Sequence, residues 1–375
     1  MNASMSQDPA GSASGGGSGS AARDAAAWKL QPFVPQEVPE DQWARYHTFR
    51  RIRHDERDPD EPLATDEIVE KSMKVPELYW RNRRHVIDTG DEIIAYVNFE
   101  SPKPDSPEYE STKHLLYSDP AVIGPYRRRG LGTYIMGAAL DELDRLGARV
   151  FTTWTCEDDG RAFAEWCGAE RKQTERLSRL DFRAINWSEM EQWAADLEAR
   201  GQGTKLEMYP DRLPDSLIDE FCPARTELMN RMPWDDAEHG DIVVTPEDIA
   251  KMYERLDVAR AQHHNLISRE PDGTISGMTD VVWRPDQPGE VEQWFTGVDP
   301  DYAGRGIGKA LKAAMVLFLR DRYDGLEWVR TGNSTTNAAM LSINERMGFE
   351  EYQRYDTYQI SRDDLARHLA AQAAS

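Results

Sequence analysis

The chain is short of cysteine, of positive charge and of any long apolar run, and each shortage excludes something. Its three cysteines are Cys156, Cys167 and Cys222. They form no CxxC pair and have no histidine at ligand spacing, so neither a disulfide framework nor a metal site is expected. Reduced, structural thiols of this kind fit a cytoplasmic location. No window reaches the ~18 apolar residues that a membrane-spanning helix needs. The first residues lack the apolar core of a secretory signal, so nothing directs export. Lys and Arg number 45 against 67 Asp and Glu, a net charge of −22. Nucleic acid and anionic membrane both need a basic footprint, and this chain has none. Such acidity serves solubility, and it would also attract a cationic substrate such as an amine.

At 375 residues the chain is too long for one ordinary core, and two domains are expected. Residues 1–27 are mostly Gly, Ser and Ala and cannot bury enough apolar surface to offset chain entropy, so they read as a disordered tail. Beyond them one series of elements occurs twice. In the first copy, residues 28–33 read as a strand and 41–53 as an amphipathic helix with Trp43, Tyr46, Phe49 and Ile52 on one face. A helix at 66–73 follows Thr65 as N-cap, and strands at 85–88 and 93–100 flank the turn Thr89-Gly90-Asp91. A strand at 114–122 then runs through a Gly-rich turn into a helix at 133–146, before a strand at 150–155, a helix at 160–167 and a strand at 175–182. The second copy repeats this with a strand at 205–209, helices at 216–232 and 246–261, and strands at 264–270, 274–283 and 291–298. A second Gly-rich turn, a helix at 309–322, a strand at 326–331, a helix at 337–346 and a strand at 352–360 complete it. The pattern is an α+β fold in tandem: a first domain at 28–186, a linker at 187–203 and a second domain at 204–375.

The strongest local signals are the two Gly-rich turns, Tyr126-Arg127-Arg128-Arg129-Gly130-Leu131-Gly132 and Tyr302-Ala303-Gly304-Arg305-Gly306-Ile307-Gly308. In each, a strand enters and a helix leaves, so backbone N–H groups face outward beside the positive end of the helix dipole and can hold a phosphate or diphosphate. Glycine lets the phosphate approach the backbone. Neither turn continues into the Lys-Ser/Thr of a P-loop, and neither lies in an early βαβ unit of the dinucleotide-binding kind.

The strand–RxxGxG–helix pattern resembles the coenzyme-A loop of the GNAT N-acetyltransferases, and the resemblance extends from about residue 28 to 360. The stretch Glu292-Gln293-Trp294-Phe295-Thr296-Gly297-Val298-Asp299-Pro300 through Gly308 is similar to that of the tandem, mycothiol-synthase-like members. The run from Asn333 through Asn337 to Gly348-Phe349 is similar to the family's second cofactor element. The resemblance implies two GNAT domains, each a mixed, mostly antiparallel sheet flanked by helices, and an enzyme that moves an acetyl group from acetyl-CoA to the amine of a small molecule, without a metal. It places the cosubstrate at Val122, Arg127, Arg128, Arg129, Gly130, Leu131, Gly132 and Thr133 in the first copy. In the second it places it at Val298, Gly304, Arg305, Gly306, Ile307, Gly308, Lys309 and Asn337, the last of which is equally suited to capping its helix.

The copies have diverged. The first has a shorter second element without the Asn or the Gly-Phe ending, and the second has Ala303 where the family carries Arg or Gln. Activity is expected in the second copy. There the resemblance gives Glu292 as the base for the amine and the Val298 N–H as oxyanion donor. Strict alternation would put Glu292, Trp294, Thr296 and Val298 on one face; a strand glutamate is otherwise simply a solvated residue. Asn344 occupies the place of the family's tyrosine acid and has no proton to give. That leaves Tyr352 or Tyr358, or departure of the thiolate with protonation by solvent. His263 and His264, adjacent on a strand, point to opposite faces and read as structural. The alternatives are an active first copy and a non-catalytic acyl-CoA sensor or scaffold; the sequence accommodates a monomer or a homodimer.

Overall fold

A computed structural model describes residues 28–200 and 202–374; the expected tail at 1–27 lies outside the described residues. The first copy runs β1 (Gln31–Pro32), α1 (Glu40–Arg57), α2 (Asp66–Lys74), β2 (Trp80–Asp88), β3 (Ile93–Pro102), α3 (Tyr109–Thr112), β4 (Leu115–Ser118), β5 (Ala121–Val122), α4 (Leu131–Leu146), β6 (Val150–Thr155), α5 (Asp158–Trp166) and β7 (Glu170–Asp181). Helix α6 (Trp187–Ala199) leads to the second: β8 (Lys205–Tyr209), α7 (Asp215–Asn230), α8 (Pro246–Val258), β9 (Gln262–Arg269), β10 (Ile275–Trp283), β11 (Glu290–Val298), α9 (Ile307–Arg322), β12 (Trp328–Ser334), α10 (Ala338–Met347), β13 (Phe349–Ser361) and α11 (Arg362–Ala373). The α+β class and the tandem order match the expectation. The punctuation does too: Thr65 accepts from Ile68 N, and Gly147 ends α4 in the left-handed region. The four-residue α3 and the C-terminal α11 carried no clear sequence signal.

Pairing between the copies departs from a simple repeat. All thirteen strands form one sheet in the order β1-β2-β3-β4-β6-β13-β7-β12-β11-β10-β9-β8, with β5 paired to β3. The last strands are exchanged. Strand β13 of the second copy lies against β6 of the first, and β7 of the first lies against β12 of the second. The sequence boundary at 187–203 therefore does not divide two separate sheets. Asp356 on β13 fixes the crossing, accepting from Arg161 Nε at 2.6 Å and Thr174 Oγ1 at 2.5 Å in the first copy.

Among the described residues only β4 with β6 and β11 with β12 are parallel, and both pairings are short. Residues 115–117 face 150–152, and 290–293 face 328–331. Beyond these points the strands diverge and leave a gap in the sheet. Strand β11 also carries a bulge: Asp280 faces Phe295 while Val281 faces Gln293, so Trp294 is the extra residue.

One cluster fills the first copy, and two flank the second copy's part of the sheet, under α6 and α9 on one face and α7 and α8 on the other. A lysine interrupts the core. Lys312 is 1% exposed on the same face of α9 as Gly308, Met315, Val316 and Leu319. Its Nζ donates to Gln293 Oε1 and lies 4.7 Å from the Phe349 ring centroid. In the first copy the residue four after the last loop glycine is Met136, which is buried. Burial brings the Lys312 pKa down to about 7.

This fixes a pH dependence. Between pH 7 and the unfolded value of 10.5 the unfolded chain binds a proton that the folded chain lacks, so stability rises with pH. Lys312→Met is expected to raise the melting temperature most at or below pH 7. Its advantage should shrink by up to ~5 kcal/mol as pH approaches 10.5. Chemical denaturation at several pH values checks this, and a pH-independent difference would contradict it.

Candidate functional site

The second Gly-rich turn is shaped by two glycines with positive φ, Gly304 at +75° and Gly306 at +83°. Gly306 is the N-cap of α9 and offers no side-chain cap, so the first N–H groups of the helix remain available to an anion. A Cβ on residue 304 would meet open space. A Cβ on residue 308 would stand at ordinary contact distance from Val298 and Ile343, so the start of the helix lies close to the end of β11. Arg305 turns away from the turn to Gln202, Thr204 and Glu270 at 2.6–2.9 Å. Lys309 lies over the Trp193 ring, 3.9 Å from Asp196. A cation that the sequence did not reveal arrives from the end of α6. The Arg200 guanidinium would be 3.4 Å from a Cβ on Gly306, and its Nη1 donates to Arg305 O at 3.0 Å. It stands beside the turn that lacks its own basic residue at Ala303. Only the fold brings a linker residue there.

The first turn is occupied differently. Arg127 donates to Val122 O at 3.0 Å, to Glu56 at 2.7 Å, to Glu157 at 3.1 Å and to Asp159 at 3.2 Å. Glu56 also accepts from Gly124 N at 2.7 Å, and Arg53 pairs with both Glu56 and Glu157. These carboxylates engage the Arg127 side chain and Gly124 N, while α4 begins at Gly130 without a side-chain cap, as α9 does at Gly306. Arg128 is left-handed at φ +61°, and Arg129 lies over the Tyr126 ring. Leu131 is buried, and Thr133 is half-buried. A Cβ on Gly132 would be 2.8 Å from the Phe163 ring, which packs against the turn.

Register aligns the two gaps. Val291 faces Val329 as Leu116 faces Phe151, so Glu292 corresponds to Tyr117 and Gly332 to Trp154. The first copy thus has a phenol in place of the carboxylate and an indole where the second has no side chain.

The bulge corrects the expected arrangement on β11. Gln293 bonds Thr279 and Lys312, and Thr296 bonds Thr279, on the α9 face. Phe295 belongs instead to the cluster under α7 and α8. Glu292 and Trp294 therefore share the α7/α8 face, while Thr296 and Val298 turn to the opposite one. A two-for-one bulge inverts alternation beyond it. The main chain of Val298 is nonetheless well directed. Asp299 donates to Ser276 O at 2.9 Å, and bonded and non-bonded pairs alternate in an antiparallel ladder. The Val298 N–H thus turns from β10 into the gap.

Glu292 is exposed at the end of the paired segment and accepts from Trp294 Nε1 at 3.1 Å. Trp294 lines a cavity of about 270 Å³ between the copies, bounded by residues 77–80 of the first and by Asp248, Lys251 and Arg255 of α8. Beside Glu292, Arg330 pairs with Glu61 and, at 2.8 Å, with Glu290. Burial raises the Glu290 carboxyl above the usual range. Deeper on this face, Asp280 accepts from Arg225 and His263 at 2.9 Å each. Burial opposes its charge, but Arg225 and His263 outweigh it and hold its pKa below the ordinary value. His264 points the other way and bonds Asp211 N; burial lowers its pKa to about 4. Both histidines are engaged as structural residues.

On the α9 side of the gap, Asn344 is 2% exposed. Its Nδ2 donates to Asn333 Oδ1 at 2.6 Å, while its own Oδ1 is buried without a partner. A buried acceptor in that state suits a ligand N–H. Asn337 caps α10 by accepting from Met340 N at 3.2 Å. Of the two tyrosines, Tyr358 is buried and bonds Glu165 of the first copy. Tyr352 lies on the Glu292 side, where the Arg179 guanidinium stacks over it. No cluster of three metal-ligating side chains occurs among the described residues, and no described helix is long and apolar enough to cross a membrane.

Comparison with known proteins agrees with the tandem fold. The acetyltransferase (GNAT) family profile matches residues 42–169 and 226–349. A mycothiol acetyltransferase of Rhodococcus erythropolis is 26% identical over 72% of this chain and 82% of its own length. One of Salinispora arenicola is 39% identical over 26% of this chain. That match spans only about a third of the relative's length (32%). Among solved structures, a tandem GNAT protein from the clavulanic acid biosynthesis pathway superposes with a TM-score of 0.66 at 16% identity, over 89% of this chain and 98% of its own. A GCN5-related N-acetyltransferase from Sphaerobacter thermophilus gives 0.59 at 18% identity, over 89% and 96%. With the family profile covering both copies, this chain belongs to the acetyltransferase (GNAT) family as a tandem member.

Proposed function

We propose that the chain transfers an acetyl group from acetyl-CoA to the amine of a small molecule, by direct transfer in a ternary complex, with the chemistry in the second copy. The observation that carries this is the contrast between the gaps. The second has a carboxylate at Glu292, no side chain at Gly332 and the Arg200 guanidinium beside its turn, while the first has Tyr117, Trp154 and an Arg127 already held by carboxylates.

The residues present suit the cosubstrate. The turn at 304–309 with Arg200 beside it offers N–H groups and a guanidinium to the diphosphate. The orphaned Asn344 Oδ1 offers an acceptor to an amide N–H of the pantetheine arm. In the reaction the amine nitrogen attacks the thioester carbonyl carbon and Glu292 takes its proton. The Val298 N–H receives the developing oxyanion. The C–S bond then breaks, and the thiolate takes its proton from solvent, since Asn344 has none to give and Tyr358 is engaged elsewhere. The acidic surroundings of Glu292 favour an amine acceptor. The curated relatives' name puts mycothiol-type amines at the head of the acceptor panel, although architecture alone does not fix the acceptor. The absence of a membrane-spanning helix among the described residues is compatible with a cytoplasmic enzyme.

Two experiments test this reading. Gly306→Glu places a carboxylate where the diphosphate binds and is expected to abolish acetyl-CoA binding and turnover, whereas Gly130→Glu leaves both intact. Calorimetry and thiol release read the outcome, and the reverse pattern would move the activity to the first copy. Glu292→Gln keeps shape and hydrogen bonding but removes proton acceptance. It is expected to lower kcat by about 10²–10⁴ with little change in acetyl-CoA affinity. Near-normal turnover in this variant would show Glu292 to be a solvated strand residue, and absence of turnover in every protein, the unsubstituted chain included, would favour a sensor.

A further inference from the structure

The exchanged strand β7 brings a carboxylate of the first copy to the gap of the second. Glu175 lies on β7 opposite Ser334 of β12 and Tyr355 of β13. Its side chain folds back so that Oε1 occupies the space a Cβ on residue 332 would take. Only a glycine at 332 permits this, and Gly332 is the first residue of β12 after its pairing with β11 ends. The side of the sheet follows from alternation. Residue 332 points the same way as Arg330, which faces Glu292 across the strands and bonds Glu290. Glu175 and Glu292 therefore stand on the two banks of one gap, on the face that carries the cavity between the copies.

Its bonding state differs from that of its neighbours. Around the gap, Glu61 and Glu290 are paired with Arg330, and Glu351 with Arg354. Glu175 has no hydrogen bond or ion pair. It is open to water yet walled by protein, and this crowding raises its carboxyl above the ordinary value with no cation to offset it. An unpaired, partly desolvated carboxylate beside a gap in the sheet is poised to take a cation.

We propose that Glu175, supplied by the first copy, ion-pairs with the protonated amine of the acceptor at the second copy's gap and so selects acceptors that arrive as ammonium ions. This rests on the second copy being the active one. It assigns the first copy a part in that site although its own gap is closed. Glu175 holds the arriving ammonium; Glu292 takes one proton from it to free the nitrogen lone pair and passes that proton to solvent, then takes the second from the nitrogen after its attack on the carbonyl carbon.

The test is steady-state kinetics in the full chain, using a mycothiol-type amine, ethanolamine, glucosamine, spermidine and methionine amide as a panel and following the amine that turns over fastest. Glu175→Gln is expected to raise the KM for that amine about 10- to 100-fold, as loss of one charge-assisted contact does. The kcat and the acetyl-CoA KM should stay within about threefold. Glu175→Asp should recover part of the loss. Gly332→Ala, whose new methyl displaces the Glu175 carboxylate, should raise the amine KM similarly, and adding Glu175→Gln to it should have little further effect. An unchanged amine KM in Glu175→Gln, a fall in kcat alone, or full additivity with Gly332→Ala would each overturn the proposal while leaving the acetyltransferase reading in place. If the unsubstituted protein releases no thiol with any of these amines, that reading and this proposal fall together.

Discussion

The structure depends on a place where backbone pairing stops. After Gln293 faces Thr331, β11 stays with β10 and β12 with β7, and main-chain groups that a continuous sheet would satisfy are left facing a gap. Unpaired backbone groups are costly unless something completes them, so such a gap is a natural seat for an extended ligand with amide groups. The Val298 N–H turns into that opening, and the Asn344 Oδ1, buried without a partner, lies on its α9 side. The turn at 304–309 closes one end of it with a helix N-terminus. Glu292 and Glu175 mark the side from which an acceptor would come.

The same architecture, repeated, gives two gaps whose surroundings have diverged. In the first copy Trp154 and Tyr117 bring bulk to the gap, and the pairs among Arg53, Glu56, Arg127 and Glu157 bind together the elements around it. Those pairs are half-buried and mutually satisfied, an arrangement suited to holding structure rather than receiving an anion. Exchange of β7 and β13 makes the two halves mutually dependent. The strand beside β12 at the second gap comes from the first copy, so the first copy contributes to that part of the sheet through its structure.

Much of this was legible in the sequence because it is local. Glycines with positive φ, caps such as Thr65 and Gly147, and apolar periodicity are written in consecutive residues, and they located both turns and nearly every helix and strand. The features that escaped are those set by pairing at a distance. The bulge at Trp294 is a matter of register with β10, and a shift of one residue sends Thr296 and Val298 to the other face. The strand exchange leaves no mark in β7 or β13 taken alone. Arg200 and Glu175 belong to a linker helix and to the other copy, and neither carries a motif. Lys312 could have been found, since it falls on the apolar stripe of α9, where a lysine is out of pattern.

The central claim is that acetyl-CoA occupies the second gap and leaves the first empty, and hydrogen–deuterium exchange with and without saturating acetyl-CoA tests it most directly. The account predicts slowed exchange at the amides of residues 298–310 and 332–344, with no change at 122–133. Protection confined to 122–133, or equal protection of both turns, would contradict it.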